Sequence, residues 1–267
     1  MSQVIRWESP GRRRRFQDVL AIEEPLELRV DGQVVTVTMR TPGHDAELAA
    51  GFLLAEGWIR EASDLLGIRH SPRNRDGNLL EVARADMPSS DTSPRARTQL
   101  TASSCGLCGT ASIQALRRRF APVRDSLIVQ PPVLLQLPET MRERQSSFDA
   151  TGGLHAAALF EADGTMVVLR EDIGRHNAVD KVIGWALLQK QLPLSNRILL
   201  VSGRTSFEIL QKALAGGIPF VASVSAPSSL AVSFARRNRQ TLVGFLREGR
   251  FNVYTGVRRL GRLDSVR

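Results

Sequence analysis

The sequence predicts a layered α/β protein with a largely parallel sheet, on three observations. From about residue 151 onward, strand-like apolar runs alternate with runs of helical period. Several of those strands, RILLVS and IPFVASVS among them, are short and apolar throughout, as strands covered on both faces are. Small polar turns close three of the strands, so chemistry-bearing residues gather at one sheet edge. A smaller α+β portion precedes this region. The division expected is residues 1–100 as an N-terminal α+β portion with a variable basic loop, 101–150 as a cysteine loop and helical connector, and 151–267 as the layered portion, all one functional unit.

In order along the chain, Leu26 to Met39 is extended, VVTVTMR alternates, and Asp31-Gly32 is a hairpin turn signal. Thr41-Pro42-Gly43-His44-Asp45 breaks the strand. ELAAGFLLAEGWI then places Leu48, Phe52 and Ala55 at helical spacing. Asn78 to Ala85 reads as another strand. The polar stretch from Arg84 to Ser104 is expected to form an exposed mobile loop around Met87 to Arg97. Beyond the cysteines, ASIQALRRRF has helical spacing at Ile113, Leu116 and Phe120. Pro131 to Ser147 predicts a helix starting near Pro138, with Glu139 in its first turn. GLHAAALF and MVVLRED are strands around Asp163-Gly164. HNAVDKVIGWALLQ is a helix with Val179, Val182, Ile183 and Ala186 on one face. SFEILQKALAG is a helix closed by Gly216-Gly217, and SSLAVSFARRN is one with Ser228 as its cap. LVGFLREGRFNVYT forms two extended runs around Glu248-Gly249.

Composition narrows the class. At 267 residues with 42% hydrophobic content, the chain can bury a substantial core in one or two domains. The arginines of the N-terminus have no apolar stretch behind them, so no secretory signal is expected. No apolar run suits a bilayer, and a cytoplasmic protein is the default expectation. The two cysteines, Cys105 and Cys108, fit a reducing compartment and a reactive or metal-binding pair better than a disulfide framework. The net charge of +9 comes almost wholly from arginine, since Lys181, Lys190 and Lys212 are the only lysines. A GC-rich genome is the plain source of that bias. A positive surface nonetheless predicts an anionic partner, and guanidinium forks suit phosphate.

The pair sits in Ser103-Ser104-Cys105-Gly106-Leu107-Cys108-Gly109, ahead of a helix whose free N–H groups and dipole favour thiolate. Spacing alone leaves several uses open. A zinc site needs about four ligands, and the chain has two cysteines and four histidines. A thioredoxin-like dithiol belongs early in a βαβ context. A structural pair fits poorly between serines and glycines. Sulfur transfer needs a nucleophilic cysteine on an accessible loop, and a second thiol can assist release by exchange. A zinc deaminase is disfavoured: no proline precedes Cys105, and His155 lacks the required Glu.

Three strand-to-helix turns complete the set. Arg170-Glu171-Asp172-Ile173-Gly174-Arg175-His176-Asn177 would place Arg175, His176 and Asn177 where backbone donors favour an anion. The plainer reading is a capped helix start with Asp180 and Lys181 as solvated charges. Ser202-Gly203-Arg204-Thr205-Ser206 and Ser225-Ala226-Pro227-Ser228-Ser229 are weak phosphate-cradle patterns that match no established nucleotide motif. Together they suggest a phosphorylated ligand beyond the strand ends.

These residues resemble the FdhD family, the sulfur-carrier accessory proteins of formate dehydrogenase. The matching stretches are Glu24-Pro25-Leu26, MRTPGHDAELAAGFLLAEG, SSCGLCG, TGGLHAAALF, REDIGRHNAVDKVIGWAL, SGRTSFEILQKALAGGIPF, SAPSSLAV and TLVGFLREGRFNVYT, from about Ile22 to Tyr254. The resemblance implies a cytidine-deaminase-like α/β fold without deaminase activity, and a homodimer. It implies that a cysteine desulfurase loads a persulfide on Cys105, with Cys108 assisting or shielding. The sulfur then goes to the bis-guanine-dinucleotide molybdenum cofactor, Mo-bis(molybdopterin guanine dinucleotide), carried as a client, with no metal of the protein's own. The cofactor-binding stretch implied is Phe245, Leu246, Arg247, Glu248, Gly249, Arg250, Phe251, Asn252, Val253 and Tyr254. Leu107 stands where the family often has valine, a change without chemical consequence. Two other readings stay in view: a non-enzymatic chaperone for the nucleotide cofactor, and a nucleic-acid binder. The 5% aromatic content argues against the latter's stacking surface, so neither nucleic acid nor membrane is expected as a partner.

Overall fold

The computed structural model describes residues 1–72, 74, 76–85, 120–124 and 127–261. The cysteine pair, the expected mobile loop and most of the helix expected after the cysteines lie outside the described residues.

An N-terminal hairpin, β1 (Ser2–Glu8) and β2 (Arg12–Asp18), stands apart as a two-stranded sheet. The next strands, β3 (Glu24–Val30) and β4 (Gln33–Arg40), turn at Asp31 and Gly32. Both residues have positive φ, as the tight hairpin signal requires. With β5 (Leu65–His70) and β6 (Leu79–Arg84) they form a sheet of order β4-β3-β6-β5. Leu26, Leu28 and Val30 alternate inward, and α1 (Asp45–Glu56) follows β4.

The second sheet is built from β7 (His155–Phe160), β8 (Met166–Asp172), β9 (Ile198–Val201), β10 (Phe220–Ser223), β11 (Thr241–Arg247) and β12 (Arg250–Thr255). Its order is β12-β11-β10-β9-β7-β8. Only β9-β10 and β10-β11 pair in parallel, and the other neighbours are antiparallel. The sheet is therefore mixed rather than largely parallel. Hairpins at both edges, one around Asp163-Gly164 and one around Glu248-Gly249, account for the difference. The expected layered α/β class with a smaller N-terminal α+β portion otherwise holds.

Alternation along these strands shows why both faces are covered. In β7, Ala157 and Leu159 join one apolar cluster while Ala156, Ala158 and Phe160 join the other. The second cluster is closed by α2 (Pro131–Arg142), whose Leu134, Leu137 and Met141 are buried. This helix starts at Pro131, not near Pro138. The pair Pro131-Pro132 occupies the first turn, where proline costs nothing, and Pro138 lies inside. Burial of three large apolar side chains offsets an interior proline penalty of about 3 kcal/mol. A short α3 (Ser146–Thr151) follows.

The first cluster holds the N-terminal sheet, α1, α4 (Arg175–Leu188), α5 (Phe207–Ala215) and α6 (Ser229–Arg237) in one interior. Val179, Val182, Ile183 and Ala186 of α4 are all buried, as the helical period requires. Helices α1 and α4 approach closely at Gly51 and Gly184: each glycine faces the other helix's backbone, at Asp180 and Glu47 respectively. Among the described residues, no helix is long and apolar enough to cross a membrane.

Candidate functional site

Strand direction places the chemistry. Strand β8 runs parallel to β9 across the antiparallel β7, so Asp172, Val201 and Ser223 end at one edge, level with Gly244 of β11 and with the start of β7 at His155. Helices α4, α5 and α6 leave the same edge. Their N-termini therefore gather there, each with backbone donors and a positive dipole end.

The turns are bonded to one another. The Ser202 hydroxyl accepts from the Ala156 N–H at 2.9 Å. The Thr205 N–H donates to the Ala226 carbonyl, and the Ser228 N–H donates to the Thr205 carbonyl. The Ser228 hydroxyl caps α6 by accepting from the Ala231 N–H at 3.1 Å, as its sequence position predicts. The Phe245 N–H reaches the Ser225 carbonyl, which joins the turn after β10 to the end of β11.

At α4, the octet Arg170 to Asn177 divides into two jobs. Asp172 and Lys181 form an ion pair at 2.7 Å, 0% and 1% exposed. Asp172 also accepts from the N–H groups of Thr41 and Gly174 and from the Asn177 amide. Lys181 donates to the Thr41 carbonyl at 2.9 Å, and Asn177 to the Met39 carbonyl at 2.8 Å. Asp180 is bonded by Lys212 through both oxygens at 2.8 Å. Asp180 and Lys181 are thus buried partners and not solvated charges. Asn177 is turned into the scaffold, not toward an anion. Long side chains one turn inside a helix start reached partners on other elements, which satisfy them in a dry interior.

Arg175 and His176 remain at the edge. The Arg175 Nε is buried without a hydrogen-bond partner, as is the Thr205 hydroxyl, whose residue is 0% exposed. His176 Nε2 lies 2.9 Å from Glu208 and 3.2 Å from the Ser206 hydroxyl. Burial opposes the Glu208 charge, but the hydrogen bond and charge of His176, joined by the Lys212 and Arg175 charges, together outweigh it and hold the carboxyl below its usual range. Gly203 lies against the His155 ring and the Arg175 stem, so a Cβ there would stand 3.2 Å from His155 Nδ1. Burial, joined by the Arg175 and His176 charges, holds the His155 imidazole below its usual range against the pull of Asp172. Sequence reasoning missed the roles of His155 and Glu208. The signal available was a histidine opening the otherwise apolar AAALF strand.

The His155 shift gives a pH prediction. A depressed folded-state value means the unfolded chain binds its proton first as pH falls. Stability from this group is present above the unfolded value and is lost on acidification through about pH 6.5 toward the lower folded value. A His155→Gln variant should therefore show a flatter fall in thermal midpoint between about pH 7 and 5 than the parent chain. Equal slopes would show that the imidazole titrates alike in both states.

The stretch Phe245 to Tyr254 is the end of β11, a turn and most of β12. A bulge interrupts the pairing between Gly244 and Arg247, and Phe245 has φ 53°. The bulge carries the inward side-chain position from Phe245 to Leu246, which packs in the second apolar cluster. Phe245 is left half-buried at the edge. Arg247, Glu248, Gly249 and Arg250 form an exposed tip, with Glu248 and Arg250 paired at 3.0 Å. Phe251 is half-buried in the second cluster, Asn252 and Val253 are exposed, and the Tyr254 ring packs over Gly244.

Fold and site together define a layered α/β protein with the Arg175 Nε and the Thr205 hydroxyl buried and unpartnered at its strand-end edge. Residues 21–261 match the FdhD/NarQ family, and the chain belongs to it. It is 54% identical over 254 residues to the sulfur carrier protein FdhD of Mycolicibacterium paratuberculosis, covering 91% of this chain and 92% of that one. Against the sulfur carrier protein FdhD of Nocardia farcinica the identity is 50% over 271 residues, covering 98% and 95%. A crystal structure from Desulfotalea psychrophila, provisionally described as a formate dehydrogenase accessory protein, is similar with a TM-score of 0.77. That similarity comes at 26% identity and covers 97% and 98% of the two chains.

Proposed function

We propose that this chain accepts a persulfide sulfur on Cys105 from a cysteine desulfurase and delivers it to the bis-guanine-dinucleotide molybdenum cofactor required by formate dehydrogenase. The same reading makes it a cytoplasmic homodimer. The observation that carries it is the family match, 21–261, which spans the chain's only cysteine pair and whose relatives are sulfur carriers. The sheet edge supports an anionic client through three helix N-termini, an unpartnered guanidinium nitrogen on Arg175 and the half-buried Phe245. The exposed Arg204 and Arg247 suit its phosphates.

The chemistry balances with two thiols. The Cys105 thiolate attacks the outer sulfur of the donor persulfide. The donor S–S bond breaks, and its cysteine leaves as thiolate. Attack of the Cys108 thiolate on the inner sulfur of the loaded Cys105 then forms a Cys105–Cys108 disulfide and expels hydrosulfide. A cellular dithiol must reduce that disulfide before the next cycle.

After incubation with a desulfurase and cysteine, the intact mass should rise by one reducible sulfur on Cys105. A Cys105→Ala variant should take up no such sulfur and should leave formate dehydrogenase inactive. Activation that survives the loss of both thiols would instead make the chain a chaperone for the nucleotide cofactor.

A further inference from the structure

The β1–β2 hairpin lies ahead of the family match, which begins at residue 21, and the sulfur-transfer reading gives it no task. None of its residues belongs to either apolar core among the described residues. Its one ion pair among the described residues, Arg14 with Glu8 at 3.5 Å, is internal. A lone two-stranded hairpin is marginally stable in water, so a face that another surface covers would gain stability.

Register sorts its side chains into two unlike faces. Residues directly opposite share a face, and neighbours alternate. One face carries Val4 with Phe16, Arg6 with Arg14, and Glu8 with Arg12. The Arg6 guanidinium lies 4.3 Å over the Phe16 ring there, a closer stack than that of Arg13, which stands 5.9 Å from the Trp7 centroid on the opposite face. The other face pairs Ile5 with Arg15 and Trp7 with Arg13. There Trp7 is 69% exposed and Ile5 is 51% exposed. Both carboxylates of the hairpin, Glu8 and Asp18, sit on the first face, so the second is purely cationic. Neither Arg13 nor Arg15 is ion-paired among the described residues. Tryptophan and arginine are the residues that most often dominate a protein interface.

We propose that this Trp7–Ile5 face docks on an acidic surface of the formate dehydrogenase polypeptide that the chain serves, an inference that rests on the sulfur-transfer reading. The charge of the face calls for carboxylates, and its apolar pair calls for an apolar notch between them. The same face of a second copy is a poor complement, since both would present Arg13 and Arg15 without a carboxylate. Nucleic acid is disfavoured because the face offers one aromatic ring beside an aliphatic side chain, not a stacking platform.

The test is binding of the full chain to purified, cofactor-free formate dehydrogenase at low and moderate salt. Trp7→Ala and the double change Arg13→Glu with Arg15→Glu should each weaken binding roughly tenfold or more. The charge reversal should also flatten the salt dependence. Glu8→Gln, on the opposite face, should stay within about twofold. All variants should load sulfur on Cys105 like the parent, because the hairpin is outside both cores. Unchanged affinity in both face variants overturns the docking arm while parental loading and activation leave the sulfur carrier standing. Losses confined to the desulfurase, to duplex DNA or to self-association also overturn it. A parent chain that neither loads sulfur nor activates the enzyme brings down both readings.

Discussion

Replacing Gly184 with alanine is expected to lower the thermal midpoint by on the order of 10 °C. At this position α4 lies against the backbone of α1. A Cβ on Gly184 would come within 2.7 Å of the Glu47 carbonyl carbon and of the Gly51 nitrogen, and nearer still to the Glu47 oxygen. A Cβ on Gly51 would meet the reciprocal obstacle, 2.7 Å from the Asp180 carbonyl carbon. Side chains can rotate away from an added methyl group, but helix backbone cannot. The helices must separate, and buried neighbours on both lose contact. That puts the cost at the upper end of overpacking, about 3 kcal/mol or more. A chain of this size loses roughly 2–4 °C per kcal/mol. Gly67→Ala is the matched comparison, since an added Cβ there meets nothing within 4 Å. Thermal unfolding followed by circular dichroism measures both. Equal midpoints for the two variants would rule out the close crossing.

Lys181→Met should be comparably damaging for a different reason. It strands the Asp172 carboxylate, 0% exposed, with three N–H donors and no counter-charge. Breaking a buried pair from one side costs about 3–5 kcal/mol. Asp172→Asn in the same chain should restore much of that loss, because the uncompensated charge is gone. Denaturant midpoints for the two single variants and the double variant give the coupling directly. Strict additivity would mean the two charges do not depend on each other. The pair also sets the start of α4, where Arg175 and His176 stand. On the proposed reading, the destabilised variant should therefore activate formate dehydrogenase less than its folded fraction alone explains.

Most helices and strands were legible because period and punctuation agreed. Asp31-Gly32 and Glu248-Gly249 mark hairpins, Ser228 caps a helix, and AAALF and ILLV feed both sides of a sheet. The β1–β2 hairpin was not legible. Its second strand opens with four arginines, which carry no inward-outward pattern. Strand β5 escaped for a similar reason, with Gly67 interrupting a short run that leaves only two residues half-buried. In the site, the strand-end turns could be read locally, and the family resemblance supplied the cysteine assignment. The buried scaffold could not be read. Asp172 meets Thr41 from 131 positions away, and no local pattern carries that separation. Asp180 and Lys181 looked solvated because adjacent opposite charges on a helix usually are. Their partners, Lys212 and Asp172, come from the next helix and the preceding strand.

The first apolar cluster draws on Leu26 to Val82 and on Val123 to Leu242 alike. The two lengths of chain on either side of residues 86–119 therefore adhere through a shared dry interior, reinforced where Thr41 meets Asp172 and Lys181. Among the described residues, that adhesion runs through packed side chains and hydrogen bonds. In the sulfur-carrier reading proposed above, that shared interior is what keeps the strand-end edge in register for a client.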